Sequence, residues 1–296
     1  MNLRRIMAAT DDSDAGRQAV RSALAIGAQT GARVTIMQAV PAGPAVLVGT
    51  GGLEVGDQSS PETSALERLQ QRVEVCLNGS AKAVPIEYAV TSGIPGIEIC
   101  RYAEQHQIDL LVLGRKRRSQ MARLLLGDTA DAVARRSRVP CLFVPPGAGS
   151  LDDLLVAHDC TERGRVVLRE AAGFAQAVGA TMRVMTVETR WADEPAALAA
   201  TVLGARTLRL REHVGELLAA ASNGGSRNGA RRLKQESLII RQGDIVEQVL
   251  ATIDQTEPHV LAIGYHRGGP PGILEGGSTA RRLAHSAPCA VLTIPL

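Results

Sequence analysis

The chain has 296 residues, 45% of them hydrophobic, with 33 basic and 30 acidic side chains and a formal net charge of +3. That is apolar material enough for two ordinary cores, whereas one Trp, three Tyr and two Phe in a nearly balanced charge field exclude a dedicated nucleic-acid binder. No apolar run approaches the length of a membrane span, and the opening MNLRRIMAATDDSD lacks the apolar stretch of a signal peptide, so a cytoplasmic protein is expected.

In chain order, RRIMAAT reads as a strand and DAGRQAVRSALAIGAQT as a helix, with apolar residues at 19, 20, 23, 24 and 26 and Gly31 as its C-terminal cap. RVTIMQAV is the second strand. A glycine-rich loop at 41–60 precedes a helix at about 62–78, followed by strand 84–91, helix 95–106 and strand 109–113. A helix at about 128–137 and the strand PCLFVP close this half. The strands lack polar alternation and are separated by amphipathic helices, the pattern of a parallel sheet covered on both faces. Ligands of such sheets bind beyond the carboxyl ends of the strands, where Asp11, Gly114, Asp159 and Gly264 fall.

The second half repeats the first. Asp11, Gly16 and Gly31 recur as Asp159, Gly164 and Gly179, each 148 positions on, while Gly93, Gly114, Gly127 and Pro145 recur 150 positions on as Gly243, Gly264, Gly277 and Pro295. Two domains are expected, 1–147 and 151–296, joined at PPGAGSLDD. Each is expected to be a mostly parallel five-stranded α/β sheet with helices on both faces, Rossmann-like. The halves should pack about a pseudo-twofold axis with their last strands near the contact, because an exposed apolar edge invites aggregation.

LAIGYHRGGPPGILEGGST at 261–279 runs from a strand into a loop rich in Gly and Pro and then into a helix. Neither GxxxxGK[ST] nor a GxGxxG turn behind a strand occurs, so kinase-type and dehydrogenase-type readings lack support. A helix entered through Gly277-Ser278-Thr279 offers unpaired N–H groups and a hydroxyl to an anion, though a Ser or Thr there also serves as a plain helix cap. Asp11 and Asp159 likewise read as caps of the helices that follow. RKRR at 115–118 is either an anion site or a solvated basic edge. His158 and His266 have no nucleophile at recognisable spacing and read as surface or pocket-lining residues; Trp191 is assigned no chemistry. Five cysteines, at 76, 100, 141, 160 and 289, form no CxxC pair and no metal-ligand spacing with the six histidines, so free thiols and no metal centre are expected.

The aspartate after the first strand, DLLVLG with its glycine-containing loop, and the ending SAPCAVLTIP resemble the universal stress protein family, here as a tandem pair over nearly the whole chain. Members that bind ATP carry G-x2-G-x9-G-[ST]. The second half has Gly264, Arg267 in place of the second glycine, Gly277 and Ser278, with Thr279 next to it. The first half has Gly114, Arg117, Gly127 and then Asp128 where the hydroxyl belongs. The resemblance implies that Asp11 and Asp159 contact adenine and that Ala39 and Val187 lie beside the base. It also implies ATP, with Mg, as ligand of a stress-response regulator, bound mainly in the second half and without efficient catalysis.

Arg117 and Arg267 would either obstruct the close approach of a phosphate that glycine permits or bind the phosphates themselves. A nucleotide-free interaction module of the same fold is the alternative, and an ATP-using enzyme a third reading. Partners expected are an adenine nucleotide and, between chains, a homodimer, with no membrane and no specific nucleic acid.

Overall fold

The computed structural model describes residues 1–40, 61–77, 84–116, 128–188, 204–205, 207–216, 238–265 and 277–296. The first half contributes β1 (Arg5–Ala9), α1 (Asp14–Thr30), β2 (Arg33–Val40), α2 (Pro61–Leu77), β3 (Ile86–Ser92), α3 (Pro95–Gln105), β4 (Leu110–Gly114), α4 (Asp128–Arg136) and β5 (Cys141–Val144). The second contributes β6 (Asp153–Ala157), α5 (Glu162–Ala177), β7 (Thr181–Glu188), helix α6 over residues 207–216, β8 (Leu238–Gln242), α7 (Ile245–Thr256), β9 (Val260–Tyr265), α8 (Gly277–Ser286) and β10 (Ala290–Pro295).

Where residues are described the expected local structure is present; the loop expected at 41–60 and Trp191 lie outside the described residues. Helix α1 starts at Ser13, whose side chain accepts a hydrogen bond from the Gly16 amide, and ends on Gly31 at φ 71°, as its sequence indicates. The backbone exceptions repeat with the sequence: Asp12 and Cys160 share a left-handed conformation (φ 63° and 60°), as do Gln107 and Glu257. Gly93 and Gly243 lie at φ 146° and 135°, a region in which a side chain is strained, at the entrances to α3 and α7.

Within each half five strands pair in parallel, as expected, and the two five-stranded units are continuous with each other. A single ten-stranded sheet runs through the chain in the order β3-β2-β1-β4-β5-β10-β9-β6-β7-β8. The halves join by antiparallel pairing of β5 with β10, in the register Phe143↔Val291, Leu142↔Leu292 and Cys141↔Thr293. Leu142 therefore faces its own repeat equivalent, and the flanking pairs exchange under a twofold rotation. This is the isologous geometry of a symmetric dimer realised inside one chain. Joining these strands removes two apolar edges that would otherwise template aggregation.

Side chains alternate across this sheet and build two cores, each drawing on both halves. Ile6, Ala8, Val112, Leu142, Val156, Ala262 and Leu292 point to one face, covered by α1, α2, α5 and α6 through residues such as Ala23, Leu69, Leu168 and Leu210. Met7, Leu111, Phe143, Leu155, Leu261 and Val291 point to the other, under α3, α4, α7 and α8. In both halves the strand order reverses beside the first strand, between β1 and β4 and between β6 and β9, which opens a crevice at the carboxyl ends of those strands.

Candidate functional site

Each crevice is entered by the turn that leaves the first strand. In the second half the Asp159 carboxylate accepts from the Thr161 amide (3.0 Å) and the Thr161 hydroxyl (2.8 Å), and that hydroxyl accepts from the Gly164 amide (3.1 Å). The first half repeats this with Asp11, Ser13 and Gly16. The aspartates are thus not the helix caps. They hold the residue that is, through one carboxylate oxygen, Oδ1. Such a turn requires glycine three residues after the cap: a Cβ on Gly164 would lie 2.4 Å from Asp159 Oδ1, and one on Gly16 would lie 2.6 Å from the Thr10 hydroxyl.

The second crevice has a volume of about 390 Å³, within the range of small-molecule sites. Asp159, His158 and Thr161 supply its polar end; Val187, Val249, Ile263 and Leu283 supply apolar walls; Gly264 and Thr279 complete the rim. Helix α8 begins at Gly277 and lines the crevice with Thr279, Ala280 and Leu283; the N–H groups of its first turn have no intrahelical acceptor. Arg267, His266 and the side chain of Ser278 lie outside the described residues.

The first crevice, about 330 Å³, brings together Asp11, Ala39, Gly114, Lys116, Asp128 and Thr129. Here Lys116 Nζ stands 3.6 Å from Asp11 Oδ2. Burial raises the Asp11 carboxyl, but hydrogen bonds from Ser13 and the nearby Lys116 outweigh it and hold the group below its ordinary value. Among the described residues no lysine or arginine pairs with Asp159. Gly127 and Arg117 lie outside the described residues.

Gly114 has a packing role that motif spacing does not reveal. A Cβ there would lie 2.0 Å from the Ala15 carbonyl oxygen, so the first turn of α1 rests directly on the end of β4. Gly264 is less constrained, since its nearest neighbours would be the side chains of Leu296 and Val167.

Arg115 departs from the sequence expectation. It is neither an anion ligand nor part of a solvated edge. Its side chain is fully buried and donates to the carbonyls of His285 (3.2 Å), in the last turn of α8 in the opposite half, and of Ala287 (3.0 Å) and Cys289 (2.9 Å) just beyond it. Burial lowers its pKa to about 10, which leaves it charged at neutral pH.

Sequence reasoning also missed His213. It lies on α6 beside the core residues Leu210 and Val214, and this helical spacing was the available signal. His158, now seen to be 3% exposed, accepts the Cys160 amide at Nδ1 (2.8 Å), so its Nε2 carries the proton and faces His213 Nδ1 at 3.3 Å. Burial is the main reason the His158 pKa falls to about 4, with Asp159 opposing and His213 adding to the fall. Among the described residues no three His, Cys, Asp or Glu side chains converge to hold a metal ion, and no helix is long and apolar enough to cross a membrane.

Comparison with known proteins places these features. The chain is 28% identical over 144 residues to a universal stress protein of Methanocaldococcus jannaschii, covering 48% of this chain and 81% of that one. It is 26% identical over 241 residues to one of Mycobacterium tuberculosis H37Rv, covering 78% and 75%. The fold is similar to that of a universal stress protein from Archaeoglobus fulgidus (TM-score 0.65, 17% identity, 98% of both chains). It is also similar to that of a functionally unknown protein from Pseudomonas aeruginosa PAO1 (TM-score 0.69, 17% identity, 99% and 92%). The sequence model described as universal stress protein family matches twice, over residues 2–145 and 151–295. The chain therefore belongs to the universal stress protein family and carries two of its domains in tandem.

Proposed function

We propose that the protein is a stress-response regulator that binds one adenine nucleotide, ATP with Mg, in the crevice of its second half and does not turn it over efficiently. The observation that carries this reading is the contrast between the two crevices. Asp159 stands at the end of an apolar slot without a lysine or arginine partner among the described residues, whereas Asp11 is already engaged by Lys116. A carboxylate at the edge of an apolar slot accepts from the exocyclic amine of adenine, and the walls around Val187 and Ile263 remove the ring from water. Phosphates would run toward the first turn of α8, whose N–H groups and positive dipole end attract anions. Arg267 and Ser278 would stand near them by the family pattern.

The first crevice favours the alternative reading, a nucleotide-free interaction module, for that half. Asp128 contributes a carboxylate at the start of α4, where phosphate would sit. Isothermal titration of the full chain with Mg-ATP tests the assignment. We expect a stoichiometry near one, a loss of about tenfold to a hundredfold in affinity for Asp159→Ala, and little change for Asp11→Ala. Two equivalent sites, or a site lost with Asp11→Ala and kept with Asp159→Ala, would overturn it.

A further inference from the structure

The join between the halves is symmetric in its backbone and asymmetric in its charge. Asp131 on α4 and Arg281 on α8 occupy equivalent positions of the repeat, 150 residues apart, and they touch: Arg281 Nε lies 3.2 Å from Asp131 Oδ1, and Nη2 donates to Oδ2 at 3.3 Å. Since equivalent residues meet across the pseudo-twofold, a self-paired first half would bring Asp131 against Asp131, and a self-paired second half Arg281 against Arg281. The next pair differs as well. Arg135, ion-paired with Asp131, has His285 as its equivalent, and His285 Nε2 approaches Asp131 Oδ1 at 3.6 Å. The carboxylate is buried (8% exposed), so two facing copies of it would depend on the two Arg135 side chains for compensation, whereas two facing copies of Arg281 and His285 would have no carboxylate between them.

A second asymmetry lies one layer away. Arg115 supplies the donors for the carbonyls of 285, 287 and 289, and its equivalent in the second half is Tyr265, also buried. A self-paired second half would present Tyr265 to these carbonyls. One hydroxyl would then replace a guanidinium that serves three acceptors.

We propose that the joining face is a heterotypic lock, in which Asp131, Arg281 and Arg115 make each half accept the other half and make the second half in particular reject a second copy of itself, since two copies would bring Arg281 and His285 together with no carboxylate between them and no counterpart of Arg115. The β5–β10 register alone cannot discriminate, because Leu142 pairs with Leu292 and either half would offer leucine at the axis. Discrimination comes from the charges that flank the axis, by placing like charges together in the wrong pairings. The partner this face fits is thus the opposite half, and neither a homotypic strand-swapped assembly nor mixing through self-pairing is favoured.

The intact chain can be made to carry each wrong pairing. Asp131→Arg brings two guanidinium groups together as in a pair of second halves, Arg281→Asp brings two carboxylates together, and the combined variant restores an opposite pair with its polarity reversed. Urea unfolding is expected to show each reversal raising the unfolding equilibrium constant at least tenfold, with the combined variant recovering most of the loss. The neutral variants Asp131→Asn and Arg281→Gln should each lose less than the matching reversal. Arg115→Tyr should lower the unfolding midpoint independently of these. If a reversal does not fold, the neutral variants and Arg115→Tyr still decide the question. Strictly additive reversals, neutralisations as costly as reversals, or an unchanged midpoint for Arg115→Tyr would each overturn the lock.

Discussion

The buried pair His158 and His213 makes stability fall toward acid in a defined window. An unfolded histidine takes up a proton near pH 6.5, but burial holds His158 neutral in the native protein until about pH 4. Between these values the unfolded chain binds more protons than the native one, so stability rises with pH there and is lost as pH falls. The contribution of His158 is small at pH 7, amounts to about 2 kcal/mol of destabilisation at pH 5, and reaches about 3 kcal/mol below pH 4. The control comes from the other half, where Thr10 occupies the equivalent position and its hydroxyl accepts from the Asp12 amide (3.3 Å) as His158 accepts from Cys160. His158→Thr should therefore keep the turn while removing the titration. Urea unfolding at pH 7 and pH 5 is the assay, and the native chain should lose about 2 kcal/mol more than the variant between the two. Equal losses would refute the claim that His158 is buried in its neutral form.

Gly114→Ala should destabilise the chain by about 3 kcal/mol or more, since its Cβ meets the Ala15 backbone rather than a side chain that can yield, whereas Gly149→Ala, with open space around it, should change little; thermal unfolding of both variants checks the contrast. The thiols of Cys100, Cys141 and Cys289 are raised by burial to about 11, 12 and 11, so thiol titration at pH 8 should be slow in the native protein and fast after denaturation, with Cys289 the first to react because it alone of these is not fully buried. A rapid native reaction at Cys141 would contradict the burial of β5.

Much of this protein is determined locally and can be read from the sequence. Helix α1, its Gly31 terminus and the Asp-centred turns rest on hydrogen bonds between residues two to four apart, so spacing alone reveals them. The repeat follows from the same economy, because two segments with the same local rules fold alike. The family resemblance grouped Asp159, Val187, Gly264 and Thr279, which line one crevice, and Asp11, Ala39 and Gly114, which line the other. What it could not show was the reason for Gly114, which depends on where a helix distant in sequence comes to rest. The engagement of Asp11 by Lys116 and of His158 by His213 depends likewise on contacts made only after collapse. The sequence suggested that the last strands meet, but their antiparallel register in one continuous sheet, the capping of α8 by Arg115 and the pairing of Asp131 with Arg281 were decided by tertiary structure. Each joins residues between 148 and 174 positions apart, beyond the reach of any local period. An arginine in a basic run looks solvated until the fold places three carbonyls of the other half around it.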